Sequence, residues 1–238
     1  SSLAKRPLYS LDSVKGIVDE IFTNVKLKGD EALVDYTNKF DKVNLNDLLV
    51  SDKKINNSEN DIDKDLKESI NIAFNNIYKF HKNQAFNSKK TETTPGVFCW
   101  QEKRAIENVG LYIPGGTAPL FSSLLMLAIP AMIANCKNIV LCSPPNNNGE
   151  LHPAILYCAK LCKVNKVICV GGAQSIAAMS IGTESVPKVN KIFGPGNQYV
   201  TYAKLKSINF NTAIDMPAGP SELLVLADQN ANPEYIAS

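Results

Sequence analysis

A chain of 238 residues, 45% of them hydrophobic, is long enough to bury one large core or two modest ones. A formal net charge of +2 gives no basic surface suited to nucleic acid, and no apolar run reaches the ~20 residues of a membrane span, so neither partner is expected. The six cysteines lie mostly in apolar, regular segments, and no signal peptide opens the chain, which together predict a soluble protein with reduced thiols in the cytoplasm.

In chain order, residues 10–28 predict a helix: Ser10 caps it, Val14, Ile17, Val18, Ile21, Phe22 and Val25 form an apolar face, and Gly29 stops it. A second helix is expected over 30–40. The Asn-rich stretch 44–60 reads as a loop. Residues 61–83 then give the clearest helical period, with Ile62, Leu66, Ile70, Phe74, Ile77 and Phe80 three or four apart. A loop over 88–95 and a hairpin of 97–102 with 104–113 are expected next. The stretch 109–130 passes from an apolar strand through Pro114-Gly115-Gly116 into a helix without a charged residue, with Ser122 and Ser123 as candidate caps.

From there strands and helices alternate: strand 138–142, helix 152–163, strand 166–170, helix 173–181, strand 191–193, helix 197–207 and strand 213–216. Residues 223–227 form a last apolar run. This alternation predicts an α/β fold, a Rossmann-like parallel sheet flanked by helices. Charge divides the chain as well. Residues 1–108 hold 34 Asp, Glu, Lys and Arg and residues 109–238 only 14, so a boundary is expected near Asn108.

Ligands of an open parallel sheet sit beyond the carboxyl ends of its strands. Five loops collect on that edge, at 112–119, 143–148, 171–174, 194–197 and 215–222, all rich in Gly or Pro. Gln174 and Asn197 each follow a glycine turn where a helix begins. Such an amide either caps the helix or reads a ribose or base, while backbone N–H groups face phosphate. Neither G-x-G-x-x-G with its distant acid nor a P-loop occurs, so the residues themselves point to a nucleotide-sized ligand held by backbone and amides.

VGLYIPGGTAPLFSSLLMLAIPAMIANCKNIVLCSPP, VGGAQSIAAMSIGTESVPKVNKIFGPGNQYVT and AIDMPAGPSE resemble the histidinol dehydrogenases, as do GDEAL, YTNKFD and KFH earlier in the chain. The resemblance implies an enzyme of histidine biosynthesis. It would oxidise L-histidinol to L-histidine through the aldehyde with two NAD, depend on zinc, and work as a homodimer. It places NAD contacts on Tyr112, Gln174 and Asn197 and a substrate contact on Ser221. It also implies that residues 1–108 are the helix-rich N-terminal part of an incomplete α/β domain and 109–222 the Rossmann-like NAD-binding domain. Residues 223–238 would begin a return to the first domain.

The family's zinc ligands and its Glu–His acid–base pair have no counterpart in the sequence. A truncated form of the enzyme is therefore expected, with no catalytic or metal-binding residue of its own. The alternative is an NAD-binding module without turnover. The remaining chemistry-bearing residues carry plainer readings. His81 lies at a helix end, and His152 stands where a cap is expected. Cys158 and Cys162 share a helix face without partners for a metal, and Cys136 and Cys142 are expected to be inert. Asp215, Glu222 and Glu184 lie in turns, where a carboxylate orients a substrate or caps a helix.

Overall fold

The structure, a computed structural model, describes residues 12–84, 88–115, 119–217 and 225–237. Helix α1 (Asp12–Lys28) buries Val14, Val18, Ile21, Phe22 and Val25 of the expected stripe, while Ile17 is exposed; Ser10, the expected cap, lies outside the described residues. Gly29, at φ 57°, turns the chain into α2 (Asp30–Asp41), which buries Leu33, Tyr36 and Thr37. This corner is latched to a distant loop. Thr183 Oγ1 donates to Asp30 Oδ1 at 2.6 Å, and Glu184 Oε2 accepts from the Asp30 N–H at 2.8 Å. Glu184 is thus a helix cap, one of its two expected roles.

The stretch 44–60 is not all loop. It contains α3 (Asp52–Asn57) and a 3-10 turn (Ser58–Asn60). Ser51 Oγ accepts from the Lys54 N–H at 3.3 Å, and Ile55 is buried, so one cap and one apolar anchor outweigh the polar composition. Upstream, Leu48–Val50 lie against a sheet edge described below. Helix α4 (Lys64–Lys82) follows, capped by Asp63 Oδ1 on the Leu66 N–H at 2.8 Å.

The expected hairpin is displaced. Its strands are β1 (Thr91–Thr94) and β2 (Val97–Cys99), paired antiparallel, with Gly96 at φ 83° in the turn. Pro95-Gly96 supplies the reversal, and the residues after Glu102 do not. The next strand, β3 (Asn108–Tyr112), pairs elsewhere and is followed by α5 (Phe121–Ile133). Ser122 and Ser123 lie inside α5 and do not cap it. Leu120 takes the N-cap position without a side-chain bond, and its carbonyl accepts from Ser123 and Leu124.

The alternating half then supplies β4 (Asn138–Cys142), α6 (Pro153–Leu161), β5 (Lys166–Ile168), α7 (Gly172–Ile181), β6 (Lys191–Phe193), α8 (Gln198–Ser207), β7 (Ala213–Ile214) and, near the end, α9 (Pro233–Ala237). Strands β3 to β7 form a parallel sheet in the order β5-β4-β3-β6-β7. The chain runs outward from β3 through β4 to β5, crosses back to β6 beside β3, and continues to β7. The connections diverge between β3 and β6, which is the topological switch point of a Rossmann-like sheet. Along the free edge of β5, Leu49 bridges Ile168 antiparallel, and the Cys169 N–H donates to the Leu48 carbonyl at 2.8 Å.

Two cores lie on opposite faces of this sheet. Val109, Leu111, Ile139, Leu141 and Val167 pack with α4, α5 and α6. Tyr112, Val140, Cys142, Ile168 and Ile192 pack with α1, α2, α7 and α8. The period-two alternation of β3 therefore sends Tyr112 to the face covered by the first two helices. Helix α7 approaches that face so closely that a Cβ on Gly110 would lie 2.6 Å from Met179 Sδ.

Candidate functional site

At the switch point the structure has a cleft of about 800 Å³. Its floor is the loop after β3 (Tyr112, Pro114, Gly115) and the loop after β6 (Pro195, Gly196, Asn197). Pro144 and Pro145 after β4 close one side, and Gly172 to Gln174 open α7 on another. The outer wall comes from Ile17 and Ile21 of α1 and Phe40 and Asp41 of α2. Four of the five expected loops thus contribute to one cavity. Met216 and Pro217 are the last described residues of the fifth, and Ser221 and Glu222 lie outside the described residues.

Tyr112 is 4% exposed. Its hydroxyl accepts from the Gly172 N–H at 3.3 Å, so the first amide of α7 is held by the end of β3. Burial pushes its phenol up to about 12, so the ring is a neutral, packed wall. Gly172 has φ 62°, and a Cβ there would lie 2.6 Å from Gln174 Oε1. The Gln174 side chain, 1% exposed yet part of the lining, makes no hydrogen bond among the described residues. Among the described residues the buried side-chain polar atom left without a partner is Thr37 Oγ1, so the Gln174 amide opens onto the cleft, where a ligand can meet it.

Asn197 performs the capping role that its position allows. Its Oδ1 accepts from the Tyr199 and Val200 N–H groups, both at 3.1 Å. That fixes the amide so that only its NH2 is free for a ligand, and cap and ligand contact are compatible. The preceding Gly194 is gripped on both sides. Its N–H donates to Asp215 Oδ2 at 2.9 Å, and its carbonyl accepts from Lys204 Nζ at 2.8 Å. Lys204 and Asp215 are themselves an ion pair, with the lysine 5% exposed. Burial pushes the Asp215 carboxyl up. Lys204 and the N–H groups of Gly194 and Met216 outweigh it and hold the group below the usual carboxylate range. Asp215 is therefore a brace for the loop.

Asp41 was not singled out by the sequence. It closes α2 inside the cleft, half-buried, and no hydrogen bond or ion pair of the described residues reaches it. Burial pushes its carboxyl above the ordinary range. The signal in the sequence is a Phe-Asp pair ending an amphipathic helix, which carries meaning only once α2 is known to wall the cleft.

The other candidates fall outside the cavity. His152 Nδ1 caps α6 by accepting from the Ala154 N–H at 3.1 Å, and His81 Nδ1 contacts Gln84 Oε1 at 2.8 Å. Cys158 and Cys162 are buried with thiols pushed up to about 12, and burial likewise raises Cys136 and Cys142. Such thiols are poor nucleophiles. Among the described residues no group of three His, Cys, Asp or Glu is placed to hold a metal, so they do not fit a zinc ion. No described helix is long and apolar enough to cross a membrane.

An open parallel α/β sheet with a cleft at its switch point, lined by amides and one carboxylate among the described residues, has the build of a nucleotide-binding protein. The family model described as histidinol dehydrogenase matches residues 4–238. Histidinol dehydrogenase of Bacteroides thetaiotaomicron is 54% identical over all of this chain, which covers 56% of that protein. The Escherichia coli K12 enzyme of the same name is 52% identical over 99% of the chain and 54% of its own length. The crystal structure of histidinol dehydrogenase from Elizabethkingia anophelis superposes with a TM-score of 0.91 at 52% identity, covering 98% of this chain and 54% of that one. The chain belongs to the histidinol dehydrogenase family. It spans about half the length of the curated relatives it matches.

Proposed function

We propose that this chain is the cofactor-holding portion of an NAD-dependent oxidoreductase that converts L-histidinol to L-histidine through the aldehyde, in histidine biosynthesis. The observation that carries the reading is the cleft at the β3/β6 switch point. Family membership supplies the substrate. Bound NAD would supply the hydride acceptor. Around it, the Tyr112 ring packs against a cofactor ring, and the Asn197 NH2 and Gln174 amide donate and accept at its polar edges. The start of α7 faces the pyrophosphate with the N–H groups of Ala173 and Gln174, since that of Gly172 is held by Tyr112.

Ser221 is proposed to touch the substrate. Zinc, the acid–base pair and a homodimeric partner belong to the same reading, with the zinc ligands coming from outside the described residues. So do a cytoplasmic location and a division into 1–108, 109–222 and 223–238. One relative, from Arabidopsis thaliana, is named a chloroplastic histidinol dehydrogenase. A second reading, an NAD-binding module without turnover, is favoured by the lack of a metal-holding cluster among the described residues.

Calorimetric titration with NAD tests the cleft. Gln174→Met fills the same volume and removes the amide from the cleft. It should weaken NAD by about tenfold while leaving the melting temperature unchanged or higher. Failure of the parent chain to bind NAD, or an unaltered affinity in the variant, would overturn the assignment. Adding histidinol and zinc to the NAD-bound chain then separates the two readings: growing NADH absorbance supports the enzyme, and binding without turnover supports the module.

A further inference from the structure

We propose that Asp41 is the residue that selects NAD over NADP, its carboxylate accepting hydrogen bonds from the adenosine ribose diol and repelling a 2′-phosphate. This rests on the reading of the cleft as a dinucleotide site. Three observations carry it. First, Asp41 is the only charged residue lining the cleft among the described residues, and no Lys or Arg stands there to neutralise a phosphomonoester. A site for NADP needs such a cation, and a site for NAD commonly uses an acid on the 2′-hydroxyl. The usual place for that acid, at the end of a sheet strand, is empty in this sequence. Asp41 reaches the same cleft from a helix packed over the sheet.

Second, the carboxylate is held in reserve. It is half-buried at the end of α2, with no hydrogen bond or ion pair from the described residues. Its burial carries a desolvation cost that a vicinal diol, offering two O–H donors, would offset.

Third, its position fits the adenosine end. Past Asp41 the chain runs to Leu48–Val50, which are bonded to the β5 edge, and the Asp41 charge is felt by the Tyr112 phenol and the Cys169 thiol. Asp41 therefore stands over the β3–β5 side of the rim. Loops on that side carry Pro, Gly, Asn and Gln. In sequence, the hydroxyl and carboxylate suited to chemistry on a small polar substrate, Ser221 and Glu222, follow β7, the strand at the edge opposite β5. A dinucleotide crossing the switch point with its reactive ring toward β7 leaves its adenosine ribose toward Asp41.

The test is to titrate NAD, NADP, 5′-AMP and 2′,5′-ADP into the full chain and into Asp41→Asn, which has the same shape without the charge. The parent should prefer NAD over NADP, and 5′-AMP over 2′,5′-ADP, by about 100-fold. In the variant both preferences should fall below about tenfold, through weaker NAD binding and stronger NADP binding. A variant that keeps both preferences overturns the role of Asp41 and leaves the cleft assignment standing. A changed NAD/NADP ratio without a changed AMP ratio also overturns it, because the carboxylate would then act at the other ribose. A parent chain that binds none of the four overturns the cleft assignment and this inference together. A melting temperature in Asp41→Asn equal to or above the parent's establishes that the variant is folded.

Discussion

Asn197 carries one observed role and one proposed role, divided between its atoms. The Oδ1 caps α8 through two backbone N–H groups, which leaves the NH2 for the proposed ligand in the cleft that Asn197 lines. Replacing it with aspartate separates the roles. Asn197→Asp keeps the capping oxygen, so thermal stability should hold within about 0.5 kcal/mol. It also removes the donor and sets a negative charge in the cleft, so NAD affinity in calorimetry should fall by about 10- to 100-fold. A stability loss of about 1 kcal/mol with unchanged affinity would instead make Asn197 a cap and nothing more. The capping option was open from the sequence, since Asn after a glycine turn and before an apolar helix is a standard start signal. Its NH2 acquires meaning only from the neighbouring loops, which lie far apart in the chain.

Elements differ in how plainly their residues announce them. Helices α1, α2 and α4 and the strand–helix alternation after β3 follow from apolar period and from glycine or proline punctuation, because burial on one face leaves a periodic trace. Helix α3 and the β1–β2 hairpin do not. The first is six residues long and held by a cap and Ile55. The second exposes both strands and so has no inward face to alternate. The α2 wall of the cleft was hidden for another reason: nothing local to 30–41 shows which face of the sheet it will cover. The loop after β6 is an element whose conformation admits one residue type at its pivot. Gly194 has φ 141°, and a Cβ there would lie 2.1 Å from the Tyr112 carbonyl oxygen. Gly194→Ala should cost about 3 kcal/mol or more in chemical denaturation, because strain and a backbone overlap add. It should also weaken NAD through displacement of Asn197. A variant with parental stability would show that the β3/β6 loops are not packed as described.

At the scale of the whole molecule, two aspartates tilt stability in opposite directions as pH changes. Asp215 has a depressed value in the folded chain, so its contribution is present above the unfolded value near 3.8 and is lost as pH falls through the lower, folded one. Asp41 has a raised value, so its penalty is complete above the folded value and is relieved as pH falls toward 3.8. Melting temperature followed downward from about pH 6 should therefore carry an upward contribution from Asp41 first and a downward one from Asp215 later. Asp41→Asn should abolish the first and leave the second, and Lys204→Met should diminish the second. A pH profile identical in both variants and parent would contradict the assigned environments.

The opening pair of helices shares its core with α7 and α8 and forms the outer side of the cleft, and its corner is fastened at the far end of α7 through Asp30, Thr183 and Glu184. A molecule lodged between Phe40 and Tyr112 would thus act as a rivet at one end of a plate already hinged at the other. Helices α1 and α2 would be clamped when the cleft is filled and freer when it is empty, so occupancy would be sensed in elements far in sequence from Asn197.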